Sequence, residues 1–295
     1  MRAKSASGVA LLFIAMVIVA HPCCAIPGRG NRIVSLEPPV TEILFALGAG
    51  PDVVGVSQYC DYPEAAKRLP KVGTFLTPNV EAIAGLRPTL VIGSAIASNL
   101  REVRALRAMG FPTLMVKDDS LEDIEGSIAA IGGRIGLERQ AHELLDTIRS
   151  HVEAVRERLK GVAPRTVVML VGHQPMVAVG RGTFLDQLLT LAGGINIADR
   201  AAQSWPRLSL EYIIATAPDV ILDGQMGSDP ASPRTFWSRY PAIPAVREHR
   251  VYGYPQDMML RPGPRVWQSL ELLAAMIHPE ATPANLRTAA RAARN

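Results

Sequence analysis

Few residues of this 295-residue chain have the types and spacing that chemistry needs. The histidines are His21, His142, His151, His173, His249 and His278, and no two of them stand at a close metal-ligand spacing. Cys23, Cys24 and Cys60 contain no metal-binding or redox pattern beyond the N-terminal segment. No Gly-x-Ser-x-Gly elbow, phosphate loop or acid–base pair is present, so no catalytic constellation supports an enzyme. Gly48-x-Gly50 with Gly55 has the letters of a dinucleotide fingerprint, but here a helical pattern precedes the glycines and a strand follows. Cradling a phosphate requires the opposite order, so that a helix N-terminus faces the anion. These glycines are read as helix stops, and Gly132-Gly133 and Gly193-Gly194 likewise.

Five polar candidates remain. His173 sits in the turn Gly172-His173-Gln174-Pro175 at a strand end, where it serves as either a turn residue or a ligand contact. Glu81 stands seven residues before Pro88 and Glu211 seven before Pro218, each in the first turn of a helix and each followed by an apolar strand. An acid there gains typically ~0.3–1 kcal/mol from the helix dipole. That accounts for either glutamate alone, but not for the repetition. Asp257 and Arg261 have the i,i+4 spacing of a helical ion pair. Aromatic residues make up only 5% of the chain, which draws notice to those in loops, Tyr59, Phe75 and Trp205.

The elements that would position these residues alternate. Strands are expected at Arg32–Leu36, Val53–Val56, Thr89–Ile92 and Thr113–Val116, with helices at Thr41–Leu47, Asn79–Leu86 and Asn99–Met109 between them. A helix capped by Asp119 or Ser120 follows and is expected to break near Gly132-Gly133. From Glu138 to Lys160 runs one long helix, with Ala141, Leu144, Leu145, Ile148, Val152, Val155 and Leu159 on one stripe. It spans on the order of 30–35 Å at about 1.5 Å per residue. Beyond it the alternation resumes: strands at Arg165–Val171, Met176–Val179, Asp219–Leu222 and Val251–Tyr254, helices at Phe184–Leu191, Ser209–Ala215 and Arg265–Ile277. The two sides of the long helix share a layout, Thr41–Gly50 with Leu185–Gly194 and Glu81–Pro88 with Glu211–Pro218. Repeated halves around one helix predict an α/β fold of two lobes with parallel-sheet cores and a ligand cleft between them. The expected divisions are residues 32–118, a helical region 119–161, residues 165–280, and a tail 281–295.

Arg2 and Lys4 followed by the apolar run Val9–Ala20 read as a signal peptide over residues 1–25, cleaved after Ala25. A retained anchor is the alternative, though the run is short for a membrane span. Cys23 and Cys24 raise lipidation, which Pro22 fits poorly, so export to the periplasm is the expectation. The net charge of +4 is spread among acids without a basic stripe, which argues against nucleic-acid binding.

Several motifs carry a family likeness: Arg32-Ile33-Val34-Ser35-Leu36-x-Pro38-x-x-Thr41-Glu42, Asp61-Tyr62-Pro63, Asn79-Val80-Glu81 through Arg87-Pro88, Trp205-Pro206 before Ser209-Leu210-Glu211, and Asp257-x-x-x-Arg261-x-x-Pro264-Arg265. From about Arg32 to Pro279 the chain resembles the periplasmic substrate-binding proteins of ABC importers for cobalamin, ferric siderophores and haem, and most of all the cobalamin-binding members. The resemblance implies two lobes on one backbone helix, no enzymatic activity and no intrinsic cofactor. It implies a monomer that captures a metal-chelate ligand and hands it to a permease and, through it, an ATPase. Glu81 and Glu211 correspond to surface glutamates that dock on permease arginines. Tyr59, Phe75, His173, Trp205, Asp257 and Arg261 correspond to the cleft. Cobalamin or a related corrinoid is the expected ligand, with ferric siderophore or haem as the alternative; for haem, His173 or Tyr59 would have to ligate iron. The chain departs from the family at Glu37 and Pro39, where small residues are usual, at Phe75, which replaces a Trp, and at Met258-Met259, which replace aromatics.

Overall fold

A computed structural model of the chain describes residues 30–94, 99–173, 175–226, 233–284 and 286–288. The proposed leader with Arg2, Lys4, Cys23, Cys24 and Ala25 lies outside these residues, as do Gln174 and the tail beyond 288.

The first half runs β1 (Ile33–Ser35), α1 (Pro38–Ala46), β2 (Val53–Val56), α2 (Glu64–Lys67), α3 (Val80–Gly85), β3 (Leu90–Ser94), α4 (Leu100–Ala108) and β4 (Thr113–Val116). Its sheet is wholly parallel, in the order β2-β1-β3-β4. Ile33 and Val34 point to opposite faces and both are fully buried, as a strand covered by helices on both sides requires. Two helices then lead away, α5 (Leu121–Ile135) and α6 (Glu138–Arg158).

The second half follows with β5 (Arg165–His173), β6 (Met176–Ala178), α7 (Phe184–Leu191), β7 (Gly194–Asn196), α8 (Leu210–Thr216), β8 (Val220–Met226), α9 (Pro233–Trp237), α10 (Pro244–Arg247), β9 (Val251–Gly253), α11 (Gln256–Met259) and α12 (Val266–Ile277). In its sheet β5, β8 and β9 are parallel neighbours; β7 pairs in parallel with the start of β5 and β6 antiparallel with its end. The fold is α/β with parallel-strand sheets in two lobes.

The resemblance between the halves extends to their backbones. α3 is capped by Asn79, whose side chain accepts the Ala82 amide, and α8 by Ser209, which accepts the Tyr212 amide. Each helix leads to a non-glycine residue of positive φ directly before a proline: Arg87 before Pro88 and Ala217 before Pro218, both at φ 46°. A residue ahead of proline ordinarily avoids helical conformations, so this shared exception marks one turn design used twice.

One expectation fails at Gly132-Gly133, where α5 does not break. It continues to Ile135 and ends on Gly136 in the left-handed conformation, φ 74°. A Cβ on Gly132 would lie 2.5 Å from the Ala141 Cβ, so this glycine permits a close approach of α5 and α6 and is not a stop. The buried stripe of α6 is Ala141, Leu145, Ile148 and Val155, with Leu144 and Val152 partly covered. His151 of α6 stacks on Trp267 of α12 at 3.9 Å and bonds Glu271 through Nδ1 at 2.9 Å. One apolar cluster is continuous from Ile33 and Ile43 through Ile128, Leu145 and Ile148 to Leu189, Leu222 and Leu273, so both lobes and the helices between them share a core.

Candidate ligand-binding cleft

The strand ends point to the site. Glu37 follows β1, Tyr59 follows β2, and Phe75 lies in the loop before α3; facing them are α11 and the segment Leu260–Pro262 that leads to α12. Glu37, Pro38, Pro39, Tyr59, Phe75, Gln256, Asp257, Leu260, Arg261 and Pro262 enclose a cavity of about 580 Å³. That volume falls in the usual range for small-molecule sites, about 300–1,000 Å³. Tyr59 and Phe75 meet edge to face, centroids 5.8 Å apart, and Tyr59 remains 48% exposed. A large, half-open aromatic pair offers an apolar surface that the interior does not use.

Arg261 joins this aromatic wall to a polar one. Its Nη2 donates to Asp257 Oδ1 at 2.9 Å and to the Tyr59 carbonyl at 3.4 Å; its Nη1 donates to Asp61 Oδ1 at 2.5 Å and to Glu42 Oε1 at 3.4 Å. Burial alone would lower the Arg261 pKa, but Asp61, Asp257 and Glu42 outweigh it and hold it above its usual value. The Arg261 hydrogen bond in turn holds Asp61 below the ordinary carboxylate range. Arg265 forks onto the same Glu42, Nε to Oε2 at 2.7 Å and Nη2 to Oε1 at 2.6 Å, and lies 4.0 Å from the Tyr62 ring centroid. The Glu42 side chain is 1% exposed. Four motif residues distant in sequence, Glu42, Asp61, Arg261 and Arg265, thus form one ion cluster between the lobes.

Of the six residues expected in the cleft, the structure brings Tyr59, Phe75, Asp257 and Arg261 together around the cavity. His173 is elsewhere: its Nε2 meets Asp223 Oδ2, and its ring packs against Phe236 at 4.6 Å and Trp237 at 6.3 Å. Asp223 Oδ2 also accepts the Trp237 indole N–H at 2.8 Å, so His173 belongs to a buried polar knot. Trp205 is 46% exposed and does not line the cavity; its loop is fastened by Gly180 N to Ser204 O and Ala178 N to Pro206 O. Glu81 and Glu211 are exposed, one on each lobe. A hydrogen bond from its own backbone amide and one from Ser209 lower the Glu211 pKa.

Among the departures, Glu37 and Pro39 line the cavity and Phe75 keeps the aromatic wall, whereas Met259 is buried in the core and Met258 packs on it. Glu42, Asp61 and Arg265 appear in the sequence as motif letters with no role, because their partners lie about two hundred residues away. Gln256, Leu260 and Pro262 had no signal.

Among the described residues no cluster of His, Cys, Asp and Glu could hold a metal, and no helix is long and apolar enough to cross a membrane.

Comparison with known proteins gives a consistent picture. A family model described as periplasmic binding protein matches residues 33–258. The chain is 33% identical over 260 residues to the uncharacterized ABC transporter substrate-binding lipoprotein YvrC of Bacillus subtilis, covering 85% of this chain and 81% of that one. It is 27% identical over 270 residues to a vitamin B12-binding protein of Yersinia pseudotuberculosis, covering 91% and 94%. Among solved structures, it superimposes on the periplasmic heme-binding protein RhuT of Roseiflexus sp. RS-1 with a TM-score of 0.76 at 32% identity, covering 85% of this chain and 99% of that one. For the periplasmic vitamin B12 binding protein BtuF of Vibrio cholerae the TM-score is 0.73 at 27% identity, covering 85% and 97%.

Proposed function

Because the chain belongs to the periplasmic binding protein family, in the class of ABC-importer substrate-binding proteins for vitamin B12, haem and siderophores, we propose that its cargo is cobalamin or a related corrinoid. The family is one of binding proteins, so the small molecule is cargo rather than a resident cofactor. The observation that carries the reading is the cavity of about 580 Å³ with Tyr59 and Phe75 on one side and the Arg261–Asp257 pair at its rim. A flat macrocycle with polar arms needs apolar contact on its face and hydrogen-bonding groups around its edge.

Haem is the second reading, favoured by the likeness to RhuT. It needs an iron ligand, and His173 is engaged by Asp223, which leaves the exposed phenol of Tyr59. On our reading His173 stabilises the second lobe, Trp205 provides a second aromatic surface outside the cavity, and Glu81 and Glu211 dock on the permease, one per lobe. The protein works as a monomer in the periplasm after removal of residues 1–25.

Titration of the purified protein with cyanocobalamin, haemin and a ferric hydroxamate siderophore, followed by calorimetry, tests the reading. Saturable binding of cyanocobalamin at one site is expected. Binding of haemin alone would replace the corrinoid with haem, and no binding of any of the three would overturn the receptor reading.

A further inference from the structure

Glu37 is a carboxylic acid in the lining of the cavity. The residue is only 5% exposed although it lines that cavity beside Pro38 and Pro39. Its Oε1 accepts the Ser94 amide at 2.6 Å, and the Ser94 side chain also hydrogen-bonds to the carboxyl. Ser94 Oγ donates to Asp118 Oδ2 at 3.0 Å. Asn99 Nδ2 donates to the Ser94 carbonyl at 3.0 Å and to the Phe75 carbonyl at 3.3 Å. One hydrogen-bonded chain thereby sets Glu37, Asp118 and the aromatic wall relative to one another.

Among the described residues no cation pairs with Glu37 or Asp118. Arg261 is engaged by Asp61, Asp257 and Glu42, and Arg265 by Glu42. Burial pushes the Glu37 carboxyl up, with Ser94 opposing and Asp118 adding to the rise; burial likewise raises Asp118. A carboxyl has more acceptor positions than Ser94 fills, so one that is largely buried yet lines a cavity gains from a donor brought by the ligand and is penalised further by a second anion.

We infer that the cleft selects ligands that turn hydrogen-bond donors, amide N–H or ammonium groups, toward Glu37, and that it rejects ligands presenting a carboxylate there. The inference rests on the receptor reading and refines it: amide-armed macrocycles are admitted, and the same macrocycles with free carboxyl arms are not. Selectivity of this kind comes from the unfavourable partner as much as from the favourable one.

The test holds the macrocycle constant. Dicyanocobinamide, with amide arms, and dicyanocobyrinic acid, with carboxyl arms, are titrated into the wild type and into E37Q. The wild type is expected to prefer the amide form at least about tenfold, and E37Q to reduce that ratio by about threefold or more. Asp118→Asn alters the same corner without touching the Ser94 amide and is expected to shift the ratio the same way, with melting curves confirming that each variant is folded. A ratio unchanged in both folded variants, or a wild type that prefers the carboxyl form, overturns the inference and leaves the receptor reading intact. If neither corrinoid binds, the corrinoid reading falls, and haem against its dimethyl ester decides the inference: preference for the ester, reduced in E37Q, supports it, and any other result overturns it. If no macrocycle binds, both readings are overturned together.

Discussion

Replacing Glu42 by Gln should loosen the connection between the lobes by an amount that can be worked out from the cluster. The carboxylate is 1% exposed, accepts two hydrogen bonds from Arg265 at 2.7 and 2.6 Å, and lies 3.4 Å from Arg261 Nη1. Gln keeps the shape but has one acceptor oxygen, and its amide nitrogen would face a guanidinium donor. Of the two part-buried arginines, Arg261 would then keep only Asp61 and Asp257, whose side chains are 44% and 75% exposed, and Arg265 only the Asp257 carbonyl. Breaking one partner out of a buried pair costs about 3–5 kcal/mol. The arginine side chains are 12% and 14% exposed, so water reaches them and the lower end, about 3 kcal/mol, applies. Urea unfolding should show that loss as a lower midpoint at unchanged slope, and the melting temperature should fall by roughly 6–12 °C at about 2–4 °C per kcal/mol. A double-mutant cycle with Arg265→Met separates the pair from its surroundings: the double variant should lose less than the sum of the two single losses, since removing both ions together leaves no stranded charge. A loss under about 1 kcal/mol for E42Q, or simple additivity in the cycle, would show that the cluster is not a structural tie.

Three further outcomes are expected. Glu81→Lys with Glu211→Lys should abolish uptake in a transport assay while leaving ligand affinity unchanged, because both side chains are exposed and outside the cavity; a loss of affinity would assign them to the cleft or the fold. The Glu37 pKa is raised in the folded chain, so its unfavourable effect on stability is present above that pKa and vanishes as pH falls to the unfolded value of about 4.3. Wild-type stability should therefore improve relative to E37Q between pH 7 and pH 4.5, measured by urea midpoints, and a constant difference would contradict the raised pKa. Solution scattering of the ligand-free and ligand-bound protein should differ little in radius of gyration, since α6 is continuous from Glu138 to Arg158; a large compaction would refute a stiff connection.

Much of the scaffold was legible because buried strands and amphipathic helices leave periodic traces. Arg32–Leu36, Thr113–Val116 and the α6 stripe were read close to their observed positions for that reason. The trace fails where the deciding contact is distant. Gly132 looked like a stop because glycine usually marks a helix end, whereas its use here depends on Ala141 lying against it. β7 is three residues long and α9, α10 and α11 four or five, too short to show a period. In the site, the aromatic pair was visible as residue types, but the partners of Arg261 and Arg265 were not. The obvious partner, Asp257 at i,i+4, is the most exposed of the three acids Arg261 touches; the buried one, Glu42, is 219 residues away. His173 misleads in the opposite sense, since a histidine at a strand end resembles a ligand until Asp223, fifty residues on, is seen to hold it.

The connection between the lobes is itself more than one helix. With α6 alone, the lobes could rotate about its axis and bend at its ends, at Leu137 and Leu159, where no side chain caps it. The return of the chain removes much of that freedom. α12 packs on α6 through the His151–Trp267 stack and the His151–Glu271 bond, and the segment before α12 carries Arg261 and Arg265 back to Glu42 and Asp61 of the first lobe. Two tethers at separate points, with one apolar core between them, resist rotation far better than a single axis does. Recognition then cannot rely on a wide clamshell closure, so it must be built into side chains that already stand in place. Glu37, fixed through Ser94 to the wall that holds Phe75, is such a side chain. On this proposal, the stiffness that limits lobe movement is what gives the Glu37 carboxyl in the cleft lining a defined position from which to choose a ligand.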